Sequence, residues 1–142
     1  MMEKPFSHSL MIRGKRFVDA GKVSTEIKSM LKELGVSPEI IRRVAIATYE
    51  AEMNVVMYAE EAKVTVELTS HEIKIVIDDR GPGIADVELA MQEGFSTATR
   101  EMREMGFGAG MGLPNIRRNS DDLKIGSRVG EGTKVEITVN IQ

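Results

Sequence analysis

Several groups of residues in this sequence have types and spacings that could do chemistry together. Glu50 and Asn54 stand four apart in a stretch of helical periodicity, so they lie one turn apart on the same side, at the rim of an apolar stripe. A neutral amide oxygen such as that of Asn54 completes a Mg²⁺ shell, and a neighbouring carboxylate takes a proton from an attacking hydroxyl or water. The same count puts Glu52 on the opposite rim, which leaves Glu50 as the acid able to work beside Asn54. Taken alone, an E-x-x-x-N pair reads first as the solvated edge of a helix.

The second group follows a strand pattern. Ile73, Ile75 and Ile77 alternate, and the alternation continues to Asp79, so this carboxylate leaves the strand on the apolar side. A charge there is costly without a donor partner, and an adenine amino group is one such donor. Gly81-Pro82-Gly83 comes directly after, with Ile84 next, and side-chain-free positions let a flat ring approach the backbone. A plain turn with Asp as its starter explains the same residues. Asp78 points the other way. The third group is Gly106-Phe107-Gly108-Ala109-Gly110-Met111-Gly112-Leu113, in which alternating glycines precede a helix and would offer backbone N–H groups to an anion such as triphosphate. It lacks the Gly-Lys-Ser/Thr of a Walker A loop, and Leu113 stands where G-x-G-x-x-G needs its last glycine. Finally, Thr133 shares a strand face with Val135, Ile137 and Val139, so its hydroxyl is expected in the same pocket as Asp79.

Positioning these groups requires a particular order of elements. Ser7 to Arg13 alternates loosely and predicts an edge strand. Apolar residues from about Val18 to Leu34 predict a first helix stopped by Gly35, and Ser37-Pro38-Glu39 starts a second that runs to about Glu60. Period two then takes over: Val64, Val66 and Leu68, a turn at Ser70-His71, and Ile73 to Ile77 predict a hairpin. Asp86 to Gln92 reads as a short helix, and residues 93–110 as a long loop or lid. Met111 to Asn119 reads as a helix, Leu123 to Arg128 as a strand, Gly130-Glu131-Gly132 as a turn, and Thr133 to Val139 as the closing strand. The expected fold is an α/β two-layer sandwich, a mixed, largely antiparallel sheet covered on one face by helices.

Bulk properties narrow the class. A chain of 142 residues with 42% hydrophobic and 29% charged residues fits one globular domain spanning 1–142. The net charge of −3 argues against nonspecific nucleic-acid binding, and the lack of cysteine excludes disulfides and thiolate metal sites. No apolar run approaches a membrane span, and MMEKPFSHSL has no signal-peptide pattern, so the expectation is a cytoplasmic protein without nucleic-acid or membrane partners.

The motif order resembles the GHKL ATPase superfamily, which has a Bergerat-type ATP-binding fold. Glu50-x-x-x-Asn54 resembles its N box, Asp79-x-Gly81-x-Gly83 its first glycine box, Gly108-x-Gly110-x-Gly112-Leu113 its second, and Gly130-x-Gly132-Thr133 its final Gly-x-Gly-Thr element. The small size, the short lid, the stretch from Asp79 to Glu88 and Gly94-Phe95-Ser96-Thr97 are most similar to the anti-sigma-factor and switch-kinase branch of bacterial stress signalling. That resemblance implies ATP and Mg²⁺ as cofactors, Asn54 as the metal residue, Glu50 as the general base, Asp79 as the adenine anchor, and the glycines and lid around the phosphates. It implies a serine/threonine protein kinase whose partner is a small STAS-domain protein, with a sigma factor or phosphatase as further partners and a homodimer compatible with it. The alternative within the branch is a nucleotide-gated anti-sigma-type binding module. Three features depart from the family pattern: the extra Gly106, the Pro114 that follows the glycines, and a lid rich in Met102, Met105 and Met111 with Arg100 and Arg103 beside them. Either arginine could clamp a γ-phosphate or be solvated loop charge.

Overall fold

The computed structural model describes residues 6–92 and 112–141. In chain order these form β1 (Phe6–Arg13), a 3₁₀ turn (Phe17–Asp19), α1 (Lys22–Glu33), α2 (Pro38–Tyr58), β2 (Glu61–Leu68), β3 (Glu72–Arg80), α3 (Val87–Ala90), α4 (Gly112–Arg118), β4 (Asp122–Arg128) and β5 (Gly132–Asn140). The strands make one sheet in the order β1-β2-β3-β5-β4, with every pairing antiparallel. The expected mixture of strand directions is therefore absent among the described residues, and the two-layer sandwich stands.

Register explains why one face of the sheet is dry. Val66, Ile75 and Ile137 form one cross-strand row, and Val64, Ile77 and Val135 form the next. All six are buried and pack with α1, α2 and α4, so strand alternation and helix stripes close on a single core. On the opposite face Lys63, Asp78 and Lys134 share a row, and Lys74 lies 3.9 Å from Glu136. Charges of alternating sign keep that face wet. No described helix is long and apolar enough to cross a membrane.

α2 is the central helix. Ser37 is its N-cap and Pro38 its first residue, as the Ser-Pro pair predicts. It ends at Tyr58, where the loop after β1 wraps it: Lys15 donates from its backbone N–H to the Val56 carbonyl at 2.7 Å and from Nζ to the Met57 carbonyl at 2.6 Å. Arg43 of α2 also pairs in two-pronged fashion with Asp121, at 3.2 and 3.3 Å, and Asp121 accepts a further bond from the Asn140 N–H at 2.6 Å. The helix is thus tied to the point where the chain re-enters the sheet.

Two details differ from the sequence expectation. The first helix does not run from Val18. The 3₁₀ turn is followed by Gly21 in a left-handed conformation, with φ 95°, and α1 starts only at Lys22. Its C-terminal stop is as expected, a Schellman closure in which Gly35 N–H and Val36 N–H return to the Lys32 and Leu31 carbonyls. Glu52, placed on a helix rim by periodicity, is only 1% exposed. Its carboxylate accepts the backbone N–H groups of Gly21, Val23 and Ser24 at 3.2, 3.1 and 2.9 Å. Gly21 has no side chain with which to cap α1, and Glu52 reaches across from α2 to supply the missing acceptor and to face the positive helix end. Glu52→Ala would strand those donors, and urea denaturation should show a loss of about 1–3 kcal/mol or more, with Glu52→Gln losing less.

Candidate nucleotide site

At the end of β3 the row after Ile77 holds Asp79, opposite the small Ala62 on β2. Its Oδ1 accepts the Thr133 backbone N–H at 3.0 Å, and Oδ2 accepts no hydrogen bond among the described residues. Burial is the largest influence and pushes the Asp79 carboxyl above the ordinary range; the Thr133 N–H opposes this, and neighbouring Asp78 adds to it. The backbone around it is crowded. A Cβ on Gly132 would stand 2.1 Å from the Asp79 carbonyl oxygen, and one on Gly81 would stand 3.0 Å from Ala59. Close approach to the Asp79 backbone requires glycine at 132, and at Gly81 it leaves little room beside Ala59 and Asp79 Oδ1.

The Gly81–Ile84 segment is strapped to the β4–β5 turn. Gly83 has φ 75°, and a Cβ there would fall 2.2 Å from the Arg128 carbonyl oxygen. The Gly130 N–H donates to the Pro82 carbonyl at 2.8 Å, and the Ile84 N–H donates to Ser127 Oγ at 2.7 Å. Ser127 Oγ is also 2.8 Å from Thr133 Oγ1. Thr133 is therefore beside Asp79, but not in the expected way. Its backbone N–H meets the carboxylate while its hydroxyl is engaged by Ser127. Ser127 shares a face and a register position with Thr133 across β4 and β5, and that inward alternation was its only signal in the sequence.

Glu50 and Asn54 come together at the start of α4. A Cβ on Gly112 would lie 3.3 Å from Asn54 Oδ1 and 3.5 Å from Glu50 Oε2, so the glycine lets α4 sit directly on this pair. Leu113, Pro114 and Ile116 are buried and fix α4 against α2, with Pro114 in the first turn, where a missing N–H leaves no helix bond unmade. Asn115, which sequence reasoning missed, donates from Nδ2 to Glu50 Oε1 at 3.4 Å. Asn54 lies four residues before the last residue of α2, about 6 Å along its axis, and Ala59, just beyond that end, packs on Gly81. The Glu50–Asn54 pair and the Asp79 cluster thus lie along one helix. Gly106, Gly108, Gly110, Met111, Arg100, Arg103 and the lid of residues 93–110 fall outside the described residues. Asp86, at the head of the short α3, caps it by accepting the Leu89 N–H at 3.0 Å.

A five-stranded antiparallel sheet backed by helices, with a carboxylate and glycines at one end, is the frame of an ATPase-type domain. This chain belongs to the histidine kinase-like ATPase domain family, whose model matches residues 17–139. It is similar to the serine/threonine-protein kinase RsbT of Bacillus subtilis (strain 168), with 32% identity over 113 residues covering 77% of this chain and 79% of that one. It is also similar to the anti-sigma F factor of Caldanaerobacter subterraneus subsp. tengcongensis, with 33% identity over 119 residues and 80% of each chain. Among solved structures, the RsbU and RsbW domains of Rv1364c from Mycobacterium tuberculosis match with a TM-score of 0.60 at 15% identity, over 95% of this chain and 36% of that one. Acinetobacter baumannii histidine kinase AdeS matches with a TM-score of 0.54 at 17% identity, over 95% of this chain and 68% of that one. At such identities the structures speak for the fold alone. The GHKL resemblance read from the motifs agrees with the family match, and an ATPase-type domain implies an ATP site.

Because the folded-state pKa of Asp79 lies above its unfolded value, folding favours the protonated form. That contribution is complete below the unfolded pKa and is lost as pH rises through the folded one. The nucleotide-free Asp79→Asn variant, which keeps an oxygen for Thr133, should be at least as stable as the parent at neutral pH. Urea denaturation should show its advantage shrinking as pH falls toward the ordinary carboxylate range, about 4.

Proposed function

We propose that this chain is an ATP-dependent serine/threonine protein kinase that phosphorylates a small STAS-domain partner in the cytoplasm. The observation that carries the reading is the meeting of Glu50 and Asn54 at Gly112, one acid and one amide facing the first residue of the helix that follows the lid. A binding module needs the nucleotide pocket but has no use for an acid held there. The serine/threonine kinase named among the relatives supports the same choice.

The residues fit the nucleotide. Asp79 Oδ2 has an acceptor to offer to an adenine amino group, and the crowding at Gly81, Gly83 and Gly132 leaves backbone rather than side chains around it. Mg²⁺ is commonly held by few protein oxygens together with phosphates and water, which suits the single amide oxygen of Asn54. Bound Mg-ATP supplies the γ-phosphoryl group and the counter-charge for it. Glu50 takes the proton of the partner's serine or threonine hydroxyl as that oxygen bonds to the γ-phosphorus and the bond to the bridging β–γ oxygen breaks, releasing ADP. Asn54 would hold the metal, and by the family resemblance the glycine-rich run of Gly106, Gly108, Gly110, Met111, Gly112 and Leu113 would serve the phosphates.

The test is transfer of labelled phosphate from Mg-ATP to a STAS-domain protein encoded beside this one. Glu50→Ala should slow transfer by about 10²–10⁴-fold with little change in ATP affinity. Transfer that survives the substitution would sink the base, and tight complex formation without any transfer would point to the anti-sigma-type binder. Separately, Asp79→Asn should weaken ATP binding by about 1.5–3 kcal/mol, roughly 10–150-fold, in calorimetry. An unchanged affinity would remove Asp79 from the adenine pocket.

A further inference from the structure

Glu50 has three rotatable bonds, and an acid that accepts a proton from a docked hydroxyl must point one oxygen at it. We propose that Asn115 is the positioning residue for Glu50, its side-chain amide holding the carboxylate so that Oε2 faces Gly112 and Asn54. The inference rests on the reading of Glu50 as the base.

The contacts of Asn115 support it. The Asn115 Nδ2 donates to Glu50 Oε1 at 3.4 Å, while Oε2 is the oxygen nearest Gly112, 3.5 Å from where a Cβ would stand. The engaged oxygen and the offered oxygen are therefore different atoms of one carboxylate. The direction of the Asn115 amide is not arbitrary either. Arg118 Nη1 donates to Asn115 Oδ1 at 2.7 Å, and a guanidinium can only donate. The oxygen of the amide must face Arg118, which turns the NH₂ toward Glu50. The backbone of Asn115 is held as well, since Asn119 Nδ2 donates to its carbonyl at 2.8 Å. Asn115 lies three residues after Gly112, so both fall on the same side of α4, toward α2.

An amide that positions a base through one oxygen differs from a packing residue in its dependence on that base. The experiment is a double-substitution cycle on phosphate transfer from Mg-ATP to the STAS-domain protein, using Asn115→Ala, Asn115→Asp, Glu50→Ala and the Asn115→Ala/Glu50→Ala pair. Asn115→Asp keeps the shape and removes the donor, so it should fall with Asn115→Ala. Each should lose about tenfold or more in kcat with KM for ATP unchanged, and Asn115→Ala should cost nothing further once Glu50 is gone. Wild-type kcat in both single variants, or the full loss repeated in the Glu50→Ala background, would overturn the proposal. Should Glu50→Ala itself transfer at the wild-type rate, the base reading fails first and the role of Asn115 with it. A second measurement does not depend on the acceptor protein: in nitrogen–proton spectra of the full chain, the Asn115 side-chain amide signals should move on Glu50→Ala. Signals that stay in place would refute the contact.

Discussion

A carboxylate that leaves a strand on its buried side constrains everything within reach of it. Asp79 continues the dry face of β3, and burial works against its charge while a single backbone N–H, from Thr133, works for it. Its neighbours are shaped by that position. Ala62 opposite is small, Gly132 cannot carry a side chain without striking the Asp79 backbone, and Gly81 is pressed against Ala59. The loop beyond is then held by Ser127 and the β4–β5 turn, with Ile84 packed against the core. One oxygen of the carboxylate accepts the Thr133 N–H, and the other accepts no hydrogen bond among the described residues. Burial of this carboxyl costs stability at this end of the sheet whenever it is charged.

α2 solves a second problem, that of serving two neighbours with similar residues. Glu50 and Glu52 are two positions apart and therefore point about 200° apart, one toward α4 and the other toward the start of α1. The first keeps an oxygen facing Asn54 and Gly112. The second is enclosed and neutralised by three N–H groups of a helix end that has no cap of its own. The same side chain is thus a candidate reactive group or a structural bolt according to what the facing helix brings to it.

That difference marks the boundary of what could be read without coordinates. Alternation along Ile73, Ile75 and Ile77 placed Asp79 on the dry face, and helical spacing paired Glu50 with Asn54, because both inferences need only the period of one element. The end of α1, the Pro start of α2 and the hairpin turns were legible for the same reason, since their chemistry is local. Glu52 was not legible, because its partners lie in another helix whose start was expected four residues too early, before the break at Gly21. Nor was Asn115: nothing in its neighbours announces a contact with a residue 65 positions away. Thr133 was half legible, its face being readable from alternation and its division of labour between N–H and hydroxyl not.

The strand order also says something about how freely such a domain can vary. The chain leaves the sheet after Arg80 and returns at Asp122, and Asp121 just before that point is fastened by Arg43 and the Asn140 N–H. The sheet closes over this gap because β5 pairs directly with β3. Among the described residues nothing between Gly81 and Asp121 joins the sheet, and doubling the length of a connection costs only about 0.6 kcal/mol of closure entropy. A lineage could therefore lengthen, shorten or rewrite the stretch ahead of α4 at small thermodynamic cost, so long as both fastenings stay.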